Sequence, residues 1–146
     1  MVLEQWKGLS GSALKAIALV SMTVDHIAYY LMEHGTWTYD MMRTVGRMAF
    51  PIFAFLLVEG YGHTRSTRKY ALSLLAFALI SEIPWWLLNH DNTHNVFFTL
   101  LLGLIAIEGM SKIDNKPLLW CVLMITICAI ATFLHVDYEY SGILLI

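Results

Sequence analysis

Long apolar runs separated by short polar connections constrain the fold of this chain more than any other feature. A bilayer core of about 30 Å takes roughly 20 helical residues to cross. Six runs have this character: Ala13–Glu33, Met42–Tyr61, Lys69–Leu88, Val96–Met110, Leu118–Leu134 and the residues after Tyr140. The pattern predicts an all-α fold, a polytopic transmembrane helical bundle of about five to six spans.

The composition agrees with burial in lipid. Of the 146 residues, 58% are hydrophobic and 14% are charged, against about half and about a quarter in a typical soluble domain. The net charge is −2, and no basic stripe with interleaved aromatic residues argues for nucleic acid as a partner. We predict a single transmembrane helical domain over residues 1–146. Because the last run stops at Ile146, we also expect the domain to be truncated at its C-terminus.

The connections between the runs differ sharply in basic content. The segment "GHTRSTRKY" carries Arg65, Arg68 and Lys69, and "SKIDNKP" carries Lys112 and Lys116, whereas "NHDNTHN" and "HVDYEYSG" carry no Lys or Arg. Basic loops stay on the cytoplasmic side of a membrane. The pattern therefore predicts a multi-pass protein of the inner (cytoplasmic) membrane with a cytoplasmic N-terminus.

Ionisable side chains inside the predicted spans are candidates for a functional site. Each costs about 2.5 to 3.5 kcal/mol at mid-helix unless it is paired or hydrated. Given the predicted directions of the spans, four such residues can meet in the outer half of the membrane, with two polar neighbours beside them: Asp25, His26, Arg47 and Glu82, then Asn95 and Thr99. A purely structural salt bridge from Arg47 to Asp25 or Glu82 is the alternative. For the whole cluster the functional interpretation is favoured.

Some polar and proline residues have plain local explanations. His63 follows Glu59 by four residues, a spacing that favours a local pair on a helix. For Pro51 we prefer a structural explanation, either an ordinary kink or a place in a first helical turn where it does no harm, to a role for the carbonyl that it leaves free. His90 and His94 have a spacing that can bind a metal on a helix, but their segment is typical of a loop, so no metal is expected.

The spacing between Lys15 and His26 fits a long ligand. The two residues are eleven apart, which places them on one helix face about 16 Å from each other. A cation at the cytoplasmic edge with an imidazole at depth suits a coenzyme A thioester, although Lys15 alone is better explained as a snorkelling residue. His26 is suited to general base catalysis. Glu82 is a better partner for it than the adjacent Asp25, because neighbouring helical residues point about 100° apart.

Three segments together resemble the TraX family of integral membrane proteins. They are "LKAIALVSMTVDHIAYYL", "VGRMAFPIFAFLLVEGYGHTRSTRKYALSLLAFALISEIPW" and "NVFFTLLLGL". Members of the family are associated with acetylation of a pilin N-terminus. The spacing from Lys15 to His26 is also similar to the Arg-ten-His motif of the acyltransferase-3 superfamily, with Lys in place of Arg.

The resemblance implies a membrane acetyltransferase that moves an acetyl group from cytoplasmic acetyl-CoA to an amine or hydroxyl of a pilin or envelope component. His26 would deprotonate the acceptor, oriented by Glu82 or Asp25, and Arg47 or Asn95 would stabilise the oxyanion. The residues expected to contact the coenzyme A thioester are Lys15, Arg65, Arg68, Lys69, Asn95 and Thr99. A small transporter or proton relay, and a membrane scaffold for pilus or envelope assembly, are the alternatives.

Overall fold

A computed structural model describes residues 10–88, 93–113 and 116–146. The helices in these ranges are α1 Gly11–Leu31, α2 Trp37–Arg47, α3 Ala49–His63, α4 Thr67–Leu88, α5 Val96–Lys112, α6 Pro117–Phe133 and α7 Glu139–Leu145. The all-α prediction is therefore confirmed. The ends of α1, α4, α5 and α6 differ from the predicted runs by at most two residues.

The second predicted run forms two helices with a break at Met48. Pro51 has no N–H to donate to the carbonyl of Arg47, so the regular hydrogen-bond ladder cannot pass this point. The Met48 N–H instead bonds to the Val45 carbonyl at 3.2 Å, which closes a tight last turn on α2. Pro51 is the third residue of α3. Of the two structural explanations left open by the sequence, the structure shows the position in a first helical turn.

The chain divides into two compact units, Met1–Leu56 and Leu57–Ile146, with the boundary inside α3. In the first unit α1 packs against α2. The buried residues of α1 are Ala18, Ser21 and Ala28, whose spacing places them on one face. Small residues let two helices approach closely in a membrane. The prediction of one domain over the whole chain stays a prediction.

In the second unit α5 is the central helix. It packs against α4, α6 and α7, and α6 also packs against α7. The core cluster consists of small and branched residues from α5, α6, α7 and the segment before α7: Ala106, Ile127, Ala131, Val136 and Ile143. Three neighbouring helices therefore hold α5 in place, and the polar residues at its two ends pack against side chains of these helices and the segments between them.

Within residues 10–88, 93–113 and 116–146, two stretches of helix are long and apolar enough to cross a bilayer. They are Trp37–His63, with 27 residues, and Thr67–Leu87, with 21 residues, and each has a mean hydropathy of 1.5. The buried share is 28% of the first stretch and 11% of the second, whereas the core helix of a soluble protein would be mostly buried. The apolar helices therefore indicate a membrane protein. The number of spans, the orientation of the N-terminus and the inner-membrane location stay predictions.

Candidate functional site

A charged pair holds Asp25 of α1 against α2. Oδ2 of Asp25 accepts a hydrogen bond from the guanidinium of Arg43, and the two side chains are 21% and 23% exposed. The guanidinium also lies 5.1 Å from the ring centroid of Tyr29, at cation–π distance. The suggested alternative pairing of Asp25 with Arg47 is not the one observed. Arg43 faces α1, whereas Arg47, which directly follows the buried Gly46, is exposed.

The second carboxylate oxygen of Asp25 is buried against Gly46. Within the described ranges, Oδ1 of Asp25 has no hydrogen-bond partner. A Cβ added at Gly46 would lie 2.5 Å from this oxygen and 2.7 Å from the Cα of Asp25. Only glycine therefore fits at this crossing of α1 and α2. An unpaired buried carboxylate oxygen is rare in proteins and marks this crossing as unusual.

His26 is held in one tautomer by its own helix. Its Nδ1 lies 2.7 Å from the carbonyl oxygen of Met22. Since a carbonyl can only accept, Nδ1 carries the hydrogen, and the basic lone pair of the neutral imidazole is on Nε2. The ring stacks on that of Tyr30, with 6.2 Å between centroids and 18° between planes. A neutral imidazole of this tautomer carries its basic nitrogen at Nε2, the position from which it would act as a general base.

Glu82, near the end of α4, forms a second polar centre with residues that precede α5. Its Oε1 lies 2.5 Å from Nδ1 of His94. Its Oε2 accepts a hydrogen bond of 2.6 Å from Nδ2 of Asn95. The sequence predicts Glu82 as a partner for His26 and indicates only a loop around His94. The partners of Glu82 found here are His94 and Asn95.

Asn95 and Thr99 are buried within this centre. Asn95 is 3% exposed and Thr99 is 0% exposed. Nδ2 of Asn95 also donates to the Ala78 carbonyl at 2.9 Å, while its Oδ1 caps α5 by accepting from the Phe97 N–H at 3.0 Å. Thr99 donates to the backbone carbonyl of Asp137. These contacts make both residues part of the support around Glu82, and their predicted contact with coenzyme A stays a prediction.

The backbone of His94 is tied to the segment between α6 and α7. Its N–H donates to the His135 carbonyl at 3.1 Å, and its carbonyl accepts from the Asp137 N–H at 2.9 Å. His135 and Tyr138 adopt left-handed backbone conformations with φ of 47° and 63°, which non-glycine residues rarely do. The segment facing His94 is therefore held in an uncommon conformation by its surroundings.

At the other end of the second unit, α4 and α5 border a basic groove of about 290 Å³. It is lined by Thr67, Arg68, Ala71, Leu104, Ile105, Glu108, Gly109 and Lys112. Glu108 accepts a hydrogen bond of 3.0 Å from the Tyr61 hydroxyl and lies 2.6 Å from Nζ of Lys112. Its negative charge is thus already neutralised, and Arg68 remains as a cation facing the groove. Arg65 and Lys69, two further residues predicted to contact coenzyme A, are exposed to solvent and lie close to Arg68 in the sequence.

The residues of the predicted outer-half cluster belong to both units. The first unit contains Asp25, His26 and Arg47, together with the exposed Lys15, and the second contains Glu82, Asn95 and Thr99. Their assembly into one site stays a prediction.

The local pair of His63 and Glu59 is confirmed, with 3.2 Å between Nδ1 and Oε1. His90 lies outside the described residues.

The apolar helices and the intrahelical charges define the class as a helical membrane protein with polar centres inside its helical units. The profile of the TraX family, described as TraX protein, matches residues 10–146. The chain belongs to the TraX family. This confirms the family resemblance found in the sequence.

Two curated relatives are similar over most of this chain. The "Probable fimbrial assembly protein FimC, serogroup H1" of Dichelobacter nodosus is 37% identical over 121 residues, covering 75% of this chain and 50% of the relative. The "Uncharacterized protein RP591" of Rickettsia prowazekii (strain Madrid E) is 30% identical over 104 residues, covering 70% of this chain and 38% of the relative. The chain therefore spans half or less of the length of these relatives. No solved structure matches it.

Proposed function

We propose that the protein is a membrane acetyltransferase that moves an acetyl group from acetyl-CoA to an amine or hydroxyl of a pilus or envelope component. The observation that carries the proposal is the hydrogen bond from Nδ1 of His26 to the Met22 carbonyl, 2.7 Å long. It leaves Nε2 as the basic nitrogen of an imidazole that sits in the middle of an apolar helix. The similarity to a protein named for fimbrial assembly supports an acceptor in the pilus.

The reaction needs one proton transfer that His26 can perform. Nε2 takes the proton of the acceptor as the acceptor nitrogen or oxygen attacks the thioester carbonyl. The bond from that carbonyl to sulfur then breaks, and coenzyme A leaves as the thiol after receiving the proton from the imidazolium. General base catalysis of this kind contributes about 10² to 10⁴ in rate.

The basic groove of the second unit supports binding of the donor. Arg68 lies in the first turn of α4, where the helix N-terminus also favours anions. A guanidinium binds phosphate oxygens through two parallel hydrogen bonds. Since Glu108 is already paired with Lys112, its repulsion of an anionic ligand is reduced. We therefore assign the phosphates of coenzyme A to Arg68, with Arg65 and Lys69 as additional cations, while the contact expected from Lys15 stays a prediction of the sequence.

Coenzyme A is expected to stabilise the purified chain in detergent, and Arg68→Ala is expected to weaken this binding about tenfold, because one charge-assisted contact is lost. A ligand at 100 times its Kd raises the free energy of unfolding by about 2.7 kcal/mol. The measurement is the melting temperature as a function of coenzyme A concentration. Lys116→Ala, a change at an exposed lysine outside the groove, is the control. An equal loss in both variants would contradict the groove as the binding site.

Replacing His26 with alanine is expected to lower acetyl transfer at least about 100-fold, because the general base is removed. The measurement is mass spectrometry of amine and hydroxyl acceptors incubated with acetyl-CoA and the purified chain. His63→Ala is the matched control, since this histidine also bonds to the carbonyl four residues earlier but its side chain is 76% exposed. If His26→Ala still transferred acetyl groups at the wild-type rate, His26 would not be the general base.

A scaffold for pilus assembly is the second candidate, favoured by the similarity to the Dichelobacter nodosus relative, which is named as a fimbrial assembly protein. A scaffold and an enzyme respond differently to loss of the Asp25–Arg43 pair. In a scaffold, variants of this pair would reduce recovery of a pilin complex from detergent extracts and no acetylated acceptor would form in any sample. In an enzyme, acetylated acceptor forms with the wild type.

A further inference from the structure

The pair of Glu82 and His94 has the geometry of a carboxylate that orients an imidazole. With Nδ1 of His94 2.5 Å from Oε1 of Glu82, Nδ1 donates to the carboxylate and the lone pair of the neutral ring is on Nε2. Among the described residues, Nε2 has no hydrogen-bond partner. The His94 side chain is 43% exposed and that of Glu82 is 26% exposed. A ligand can therefore reach the imidazole, and the carboxylate is the more buried of the two groups.

Both members of the pair are held from several sides. Asn95 binds the second oxygen of Glu82 through its side chain at 2.6 Å and approaches it with its backbone N–H at 3.4 Å. The ring of His94 packs on that of Phe98, with 5.3 Å between centroids. The backbone of His94 is bonded on both sides to the segment before α7. Such support keeps a functional side chain in one orientation.

The charge around the pair suits a cation. The sequence has no Lys or Arg between Lys69 and Lys112, and none after Lys116. All of the contacts of His94 and Glu82 described above come from these two segments. Along α5 the pair lies about 20 Å from Glu108, given a rise of about 1.5 Å per residue. The pair is thus at the opposite end of the second unit from the basic groove. The other titratable residues of the facing segment are His135, Asp137 and Tyr138, of which His135 and Asp137 meet His94 through backbone atoms.

We propose that His94 and Glu82 form an ammonium-binding site that takes the first proton from a primary amine acceptor. The proposal rests on the proposed acetyl transfer. An amine in water at neutral pH is largely protonated, since a free α-amino group has a pKa of about 8. One of its N–H groups donates to Nε2 of His94, the proton moves to Nε2, and the nitrogen keeps its electron pair as a neutral nucleophile. The second proton leaves the nitrogen during its attack on the thioester.

The binding step is tested without any catalysis. Glycinamide is used as a primary amine probe and N-acetylglycinamide as its neutral counterpart, with the melting temperature of the full chain in detergent as the readout. Glycinamide is expected to raise the melting temperature of the wild type at pH 7 and to lose this effect in His94→Gln, whose amide can still donate to Glu82. The control is His63→Gln, since His63 also pairs with a carboxylate at 3.2 Å. Equal stabilisation of the wild type and His94→Gln by glycinamide would overturn the site.

The proton transfer is tested by the pH dependence of acetyl transfer to glycinamide. At pH 7 about a tenth of this amine is neutral, so His94→Gln is expected to lower kcat/KM about tenfold, and the loss should vanish near pH 9. The same loss at both pH values would overturn the role of His94. If the wild type transfers no acetyl group but His94-dependent binding persists, the proposed function fails and the ammonium site stands. If transfer occurs and His94→Gln changes neither readout, the site fails and the function stands.

Discussion

Replacing Gly46 with alanine is expected to lower the free energy of unfolding by about 3 kcal/mol, at the upper end of what overpacking costs. The new methyl group would overlap the side chain of Asp25 and lie 2.7 Å from its Cα. A flexible side-chain tip could move away, but a backbone atom of α1 cannot move without separating the two helices. Chemical or thermal unfolding in detergent measures the effect.

The control for this prediction is Gly62→Ala in α3. A Cβ at Gly62 would meet nothing within 4 Å, so alanine is expected to stabilise the helix by about 0.5 to 1 kcal/mol through its higher helix propensity. The two substitutions are chemically identical and differ only in their surroundings. Equal effects on stability would show that α1 and α2 do not cross as closely as described.

Replacing Arg43 with methionine is expected to lower the free energy of unfolding by about 3 to 5 kcal/mol, the range found when one partner of a buried ion pair is removed. Oδ1 of Asp25 already lacks a hydrogen-bond partner among the described residues, and loss of Arg43 would leave Oδ2 in the same state. The carboxylate would then be poorly solvated in an apolar helix. Loss of the cation–π contact with Tyr29 adds to the effect.

Two further variants isolate the ion pair. Arg47→Met, one helical turn further along the chain at an exposed position, is expected to change stability by less than about 0.5 kcal/mol. The double variant Arg43→Met with Asp25→Leu is expected to recover part of the loss, because no uncompensated charge remains. The pairing of Arg43 with Asp25 is wrong if Arg47→Met lowers the free energy of unfolding as much as Arg43→Met does. It is also wrong if the loss in the double variant equals the sum of the losses in the two single variants.

The helices could be predicted because the signals that define them are local. The apolar runs of α1, α4, α5 and α6 have the length of a bilayer crossing, and the structure places their ends within two residues of the prediction. That Pro51 would either kink a helix or lie in a first helical turn followed from the covalent structure of proline. The pairing of Glu59 with His63 followed from the helical period. None of these inferences required knowledge of which helices are neighbours.

The partners of the charged residues could not be predicted in the same way. Arg43 and Arg47 are four residues apart on α2, and only the crossing at Gly46 decides that Arg43 reaches Asp25. The link from Glu82 to His94 depends on the path of the chain between α4 and α5. It depends equally on the backbone contacts of His94 with the segment before α7. The acidic side chains were found as candidates, but Arg43 and His94 were missed as their partners.

By itself, the sequence determined the helical class, the membrane environment and the family of this protein, because hydropathy, proline chemistry and residue spacing act over one or two helical turns. Only the tertiary structure decided which side chains meet. A hydrogen bond to Asp25 or Glu82 depends on the crossing of helices from distant parts of the chain, and a shift of one turn, about 5.4 Å, replaces one partner with another.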